Sequence, residues 1–426
     1  MTEIPDAGAG FEKEVSDLRN KWDRLSKELY TLENRRVSEA GGLADRGRLD
    51  QHINSIRNSR LLVERQLDRI CSGTDPVKDR SQDDVTYPLL NRIKEEDLWQ
   101  TLEEIAVQGV VDGGIAAMGF YMHAGKNPMA LESGNIKNPS TMADIRATIS
   151  ILNKVDHLLA PIAGKLRCSI SYLGEETSFK QYMERYLDHI SNKIEDGERF
   201  FSNSKNRIRV IVDAIDGTAN FKRGLPLFCS SLAFFIDDQV RVSAIYDPVR
   251  HTVYYGSLKG PYNSPEDSVS AYGWSISSGI RESLVPSKEE RDRIVRLKEE
   301  AIGTHFPRKP EDSEKLRAFI SPKDGSDSIL FRLSTELGSI YALNSGLFAA
   351  AEIVRGALGG FVNITTNPWD IASGEVLIRA CGGAVTDFNG NALAYDSNSK
   401  MNIVAAKNRD LHAKLLELVG GFHSFA

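Results

Sequence analysis

An α/β protein with a helical extension is what this chain predicts, on three observations. Apolar residues recur at helical spacing through positions 11–71, while strand-like apolar runs cluster at 207–213, 227–236, 239–246 and 252–256. A long helical pattern at 95–123 and a short one at 375–381 bracket those strands. The composition is globular: of 426 residues, 41% are hydrophobic and 26% charged. That excludes wholesale disorder and fibrous structure, and the length suits two or three domains of ordinary size or one large domain with an appendage.

The extension comes first. Phe11, Val15, Leu18, Trp22, Leu25, Leu29 and Leu32 follow alternating spacings of four and three, and Leu49, Ile53, Ile56, Val63, Leu67 and Ile70 repeat the pattern with Arg60 as a polar interruption. Such spacing places each set on one helical seam, as in a coiled coil. The glycine-bearing stretch 39–47 suits a reversal of direction. Residues 1–71 are therefore expected to form an antiparallel α-helical hairpin, with helices at 11–38 and 48–71. Its seam needs a partner surface, either the main body or a second copy. Polar, charged residues 72–87 read as a linker, and 88–426 as the main domain.

A net charge of −6 with intermixed signs gives no basic footprint for a nucleic-acid polymer or an anionic membrane. The apolar stretches are too short to span a bilayer, and the first ten residues carry two acids and no apolar core. Four scattered cysteines (Cys71, Cys168, Cys229, Cys381) lack CxxC spacing and read as reduced thiols. A cytoplasmic protein is expected.

The chemistry concentrates where the strand Arg207-Ile-Arg-Val-Ile-Val ends on Asp213, followed by Ala214-Ile215-Asp216-Gly217-Thr218. Two carboxylates three residues apart in a turn repel unless a cation lies between them. With a nearby backbone carbonyl they are hard oxygen ligands, suited to Mg²⁺. Gly217 admits close approach of a ligand, and consecutive amides here could hold a phosphate. Alone, Asp-Gly marks an ordinary turn. Two further fragments add acids: Gly174-Glu175-Glu176 after a short apolar segment, and Trp369-Asp370 ahead of the apolar helical run 375–381. Each alone reads as a solvated surface or a helix cap.

Together and in this order the motifs resemble the inositol monophosphatase family of magnesium-dependent, lithium-sensitive phosphatases. Asp213-Ala-Ile-Asp-Gly-Thr218 is similar to the family's Asp-Pro-Ile-Asp-Gly-Thr, with Ala214 for Pro. Gly174-Glu-Glu176, Trp369-Asp-Ile-Ala-Ser-Gly374, Gly382-Gly-Ala-Val-Thr-Asp387, Thr141-Met-Ala-Asp144 and, loosely, Thr304-His-Phe-Pro307 match further elements. The resemblance covers about residues 95–420 and implies a layered α/β/α/β/α sandwich. It implies two to three Mg²⁺ ions per site: Glu175, Asp213 and the Ile215 carbonyl at the first, Asp213, Asp216 and Asp370 at the second, and Glu175 through water at a third. Thr218, paired with Asp144, would orient and help deprotonate the attacking water, and the amides of Gly217 and Thr218 would bind phosphate oxygens. The implied reaction is hydrolysis of a small polyol or sugar phosphate by in-line attack on phosphorus. Histidinol phosphate, fructose 1,6-bisphosphate and 3′-phosphoadenosine nucleotides are alternative substrates of the same fold. A non-catalytic, ligand-sensing scaffold using the hairpin is an alternative of a different class. A homodimer is expected, with further association through the hairpin.

The family pattern is broken at two places. Gly359 stands where the family has Asp, and Asn363 where it has a Glu that contacts substrate hydroxyls. The neutral Asn363 is the candidate substrate contact, and its neutrality bears on selectivity rather than on phosphate chemistry. Phe179, Tyr182, Met183, Tyr186, Leu187, Ile190 and Ile194 are expected on an amphipathic helix packed against the body. Lys222-Arg223 reads as a solvated basic pair, and the charged loop 307–327 as a candidate rim.

Overall fold

The computed structural model describes residues 96–121, 142–175, 187–202, 206–236, 238–259, 269–285, 300–305, 328–396 and 400–420, together with 21, 24 and 28. The chain divides into two compact units, Met1–Asp83 and Asp84–Ala426. In the first, Lys21, Arg24 and Glu28 are helical and exposed, and none belongs to the apolar seam. The rest of the hairpin, the linker 72–87, Glu176 and the loop 307–327 lie outside the described residues.

In the second unit, helices α1 (Glu96–Tyr121) and α2 (Met142–Leu166) precede a seven-stranded sheet. Its strands follow chain order: β1 (Ser169–Gly174), β2 (Arg207–Asp216), β3 (Cys229–Ile236), β4 (Gln239–Asp247), β5 (Thr252–Leu258), β6 (Val269–Ser275) and β7 (Ile280–Ser283). Only β1 and β2 pair in parallel; the rest are successive antiparallel neighbours. The short helix α3 (Gly197–Phe201) lies between β1 and β2, and α4 (Thr218–Lys222) follows β2. β2 is buried along nearly its whole length, so its two arginines need partners. Arg209 donates to the Phe200 carbonyl at 3.0 Å, pairs with Asp238, and sits 5.7 and 5.5 Å from the Phe200 and Phe235 ring centroids.

The second sheet has five strands in the order β11 (Ala384–Asp387), β12 (Met401–Ala406), β10 (Gly360–Thr366), β8 (Ala301–His305) and β9 (Ser339–Ala342). Helices α5 (Ile329–Glu336), α6 (Gly346–Val354), α7 (Ala372–Ala380) and α8 (Arg409–Val419) accompany it among the described residues. Ser328, Ser345 and Asn408 cap α5, α6 and α8, each accepting a bond from an amide three residues on.

Helix faces set the layer order. Every residue of α6 is buried, as a helix between two sheets requires. One core joins Ile245 and Tyr254 of the first sheet through Phe348 of α6 and Leu377 of α7 to Phe361 and Ile403 of the second. Leu333 of α5 and Leu411, Leu415 and Leu418 of α8 cover the opposite face of the second sheet, against Ile302, Val362 and Val404. With α1 packed on β3 to β5 and α2 on β1 and β2, the arrangement is the expected α/β/α/β/α sandwich.

The expected amphipathic helix through 179–194 differs. Its described part is a 3₁₀ helix, Asp188–Lys193, with Leu187, Ile190 and Ile194 buried. The apolar positions go inward as their spacing dictates. Just past its end, Ile194 makes an isolated parallel bridge to Tyr172 of β1.

Candidate metal and phosphate site

The site is built at the C-terminal end of β2. The β2–β3 pairing is irregular between Asp213 and Asp216, so the strand bends where its acids fall. Ser230 Oγ holds the bend by donating to the Ala214 carbonyl at 2.5 Å. Gly217 then adopts φ of 90°, and a Cβ there would come within 2.7 Å of the Leu227 carbonyl, so this turn accepts only glycine. The Asn220 amide ties the turn down, donating to the Leu227 and Leu343 carbonyls at 2.7 Å each.

Asp370 arrives from the second sheet. β10 ends at Thr366, and the 3₁₀ turn Pro368–Asp370 carries the acid back toward β2. The turn is held as a capping box in which Asn367 N and Nδ2 donate to Asp370 Oδ2 at 3.0 and 2.9 Å. Asp213, Asp216 and Asp370 thereby each offer an oxygen within 4.8 Å of the others. Glu175 is delivered by register: Gly174 at the end of β1 pairs in parallel with Val212, so the next residues along the two strands are Glu175 and Asp213.

The electrostatics are those of a site short of positive charge. Asp213 is 2% exposed and Asp216 7%. Burial raises the Asp213 carboxyl well above its ordinary value, and the charges of Glu175, Asp216, Asp370 and Asp144 raise it further. Asp213 Oδ1 accepts from Ile215 N at 3.2 Å, but Oδ2 is buried with no hydrogen-bond partner among the described residues. Asp216 is pushed up to about 7, by burial first and then by Asp370, against hydrogen bonds from Ser345, Leu347 and Phe348. Converging carboxylates, one with an orphaned buried oxygen, fit a hard divalent cation.

Thr218 Oγ1 lies 3.1 Å from Asp144 Oδ1 and 2.9 Å from the Ile215 carbonyl, within donating distance of either. Asp144 is buried in the first turn of α2, where the helix dipole favours a carboxylate. The structure therefore gathers Asp144, Glu175, Asp213, Ile215, Asp216, Gly217, Thr218 and Asp370 around one turn.

Asn363 is placed differently. It is 3% exposed within β10, its Nδ2 donates to Thr366 Oγ1 at 2.8 Å, and its Oδ1 accepts from Ile364 N at 3.0 Å. Both ends of the amide are thus engaged inside the strand. Gly359 immediately precedes β10 while Asp370 follows it, and seven strand residues span roughly 20 Å. A Cβ at Gly359 would run into the Glu300 carboxylate, which pairs with Lys407 at 2.8 Å. A carboxylate still occupies this spot, supplied from the residue before β8. Arg223 is exposed, as expected of a solvated residue, and donates to the Ala219 carbonyl at 2.7 Å.

Ser345 is the site residue that motif reading missed. Its Oγ donates to Asp216 Oδ2 at 2.5 Å. The available signal was weak: a serine before an apolar run, which marks a helix start and nothing more.

Comparison with known proteins agrees with this geometry. Residues 175–422 match the inositol monophosphatase family. The chain is 27% identical over 233 residues to the Nus factor SuhB of Escherichia coli, covering 55% of this chain and 74% of that protein. It is 27% identical over 264 residues to a fructose-1,6-bisphosphatase/inositol-1-monophosphatase of Thermotoga maritima, covering 59% and 88%. The inositol monophosphatase structure from Anabaena superposes with a TM-score of 0.51 at 19% identity, covering 75% of this chain and 95% of that one, which speaks to the fold. The family match takes in Glu175, the Asp213–Thr218 turn and Asp370, the residues that the two sheets bring together, and it spans more than half of the chain. The chain belongs to the inositol monophosphatase family.

Proposed function

We propose that the protein is a Mg²⁺-dependent phosphomonoesterase acting on a small polyol or sugar phosphate. The observation that carries this reading is the buried Asp213 carboxylate, with one oxygen unpartnered among the described residues and Asp216 and Asp370 converging on it. Asp213, Asp216, Asp370, Glu175 and the Ile215 carbonyl are the residues that would hold the metal. Mg²⁺ in this cradle supplies Lewis acidity, activating water as a nucleophile and neutralising charge on the phosphate.

The chain's own groups do the rest. Thr218 Oγ1, within reach of the Asp144 carboxylate, orients the incoming water and passes its proton toward that acid. The amides of Gly217 and Thr218, at a helix start without intrahelical acceptors, receive phosphate oxygens. Burial keeps the acids apart from bulk water, so a cation bound among them meets a concentrated negative field. The relative named as a fructose-1,6-bisphosphatase/inositol-1-monophosphatase supports a substrate of polyol or sugar phosphate type.

A second reading has two observations in its favour: Met1–Asp83 forms a unit of its own outside the family match, and some relatives carry the name Nus factor. Under that reading residues 1–71 are an assembly hairpin and the phosphatase fold senses a ligand. One experiment separates the two: phosphate release from a panel of phosphomonoesters, with and without Mg²⁺ and with added Li⁺, beside Asp216→Asn. Mg²⁺-dependent turnover lost in Asp216→Asn supports the enzyme. No turnover from folded, Mg²⁺-binding protein supports the sensor.

A further inference from the structure

Helix α6 enters the site end-on. Ser345 is its N-cap, 2% exposed, with Oγ accepting from Phe348 N at 3.1 Å. The same oxygen donates its proton to Asp216 Oδ2 at 2.5 Å, and Leu347 N donates to that carboxylate oxygen at 2.6 Å. Two donors thus converge on Oδ2. The next residue, Gly346, is pressed against the third acid: a Cβ there would come within 2.7 Å of the Asp370 carbonyl. The first turn of α6 therefore touches two of the three converging aspartates, and the helix is locked between the sheets along its whole length.

We propose that Ser345 is a positioning residue for the metal site, fixing the Asp216 carboxylate by a hydrogen bond from its hydroxyl so that one defined oxygen faces the cation. A carboxylate free to rotate presents either oxygen and must be ordered when the metal arrives. One clamped on a rigid helix start is ordered beforehand. The bond is charge-assisted and buried, which places it among the stronger ones. An ordinary N-cap needs only the contact to Phe348 N, and the additional bond to Asp216 is what distinguishes Ser345. The inference rests on the proposed metal role of the aspartates.

The test is calorimetric titration of MgCl₂ into the metal-free full-length protein, for wild type, Ser345→Ala, Ser345→Gly and Asp213→Asn, with a thermal melt of each. Ser345→Ala and Ser345→Gly are expected to bind Mg²⁺ about tenfold more weakly at a temperature where both are folded. Glycine is itself accepted at N-caps, so Ser345→Gly separates loss of the hydroxyl from loss of the cap. Wild-type Mg²⁺ affinity in either folded variant, with only a lower melting temperature, would overturn the proposal and leave Ser345 a helix cap. So would a metal-free unfolded state in both. If Asp213→Asn retains wild-type Mg²⁺ affinity, the metal site itself has been misassigned, and the Ser345 proposal falls with it for that separate reason.

Discussion

Two groups of buried acids in this fold pose one physical problem and solve it in opposite ways. Asp247 and Glu352, 1% and 6% exposed, lie at the end of β4 and within α6. Arg250 donates to Asp247 Oδ2 at 3.0 Å and to Glu352 Oε1 at 2.5 Å, and Arg355 Nε donates to Glu352 Oε2 at 2.8 Å. Two carboxylates thus meet two guanidiniums supplied by the chain. At the end of β2, Asp213 meets Asp216, Asp370, Glu175 and Asp144, and what raises its carboxyl after burial is more negative charge. The first group is a finished joint. The second is stable as a charged cluster only when a cation arrives from outside.

The sharpest way to break this contrast is to neutralise one acid in each group. Asp213→Asn should lower phosphate release by on the order of a thousandfold, since several kcal/mol of transition-state charge stabilisation depends on the metal it holds. The same change should leave the metal-free protein as stable as wild type or more so in urea melts with chelator, because it removes a repelled charge. A destabilised Asp213→Asn without metal would mean the acid is already satisfied. Glu352→Gln should do the reverse. Both arginine partners are more than two-fifths exposed, so the loss is screened to about 2 kcal/mol of stability, while activity per folded molecule stays within about twofold.

How far the sequence foretold this contrast depends on how local each feature is. The order Glu175, Asp213, Asp216, Asp370 was legible because motif and strand end coincide: Asp213 closes an apolar run that becomes β2, and Asp216-Gly217 is a turn by composition. Strands β3 to β5 were legible for the same reason, as apolar runs broken by turns. The clamp from Ser345 was not, because it joins residues 129 apart and leaves no periodicity. Nor was the role of Glu300, which fills the space beside Gly359 from just before β8. A mostly apolar run such as α6 says that a helix is buried, not which acid its first turn will touch. The 3₁₀ turn at Asp188–Lys193 shows the same limit, since the apolar spacing marks which positions go inward and not which kind of helix carries them.

On the proposed metal role, protons and Mg²⁺ would compete for the unfinished group, which gives a smaller but directional effect. Asp216 rises from 3.8 to about 7 on folding. A raised folded value means its contribution to stability is complete below the unfolded value and is lost as pH rises through about 7. The metal-free melting temperature should therefore fall between pH 5 and pH 8. The increment from added Mg²⁺ should grow over that window, by about 5 °C from end to end. Scanning calorimetry at stepped pH, with and without Mg²⁺, measures both slopes. Asp213→Asn should flatten the Mg²⁺ increment and Glu352→Gln should not. A Mg²⁺ increment that shrinks with pH would contradict competition at this site.

The smallest expected effect tests where along β10 a substrate can be felt. Asn363 is the substrate contact that the family resemblance implies, yet its amide is consumed within the strand, by Thr366 Oγ1 on one side and Ile364 N on the other. Asn363→Ala strands both partners in a buried setting and should cost about 1–3 kcal/mol of stability. The Michaelis constants for a polyol phosphate and a phenyl phosphate should each move by less than about threefold, because a group already paired has little left to offer a ligand. A tenfold rise for the polyol alone, with kcat unchanged, would show that the amide releases Thr366 and turns to the substrate. Selectivity would then be read at the middle of β10 rather than at the turn that carries Asp370.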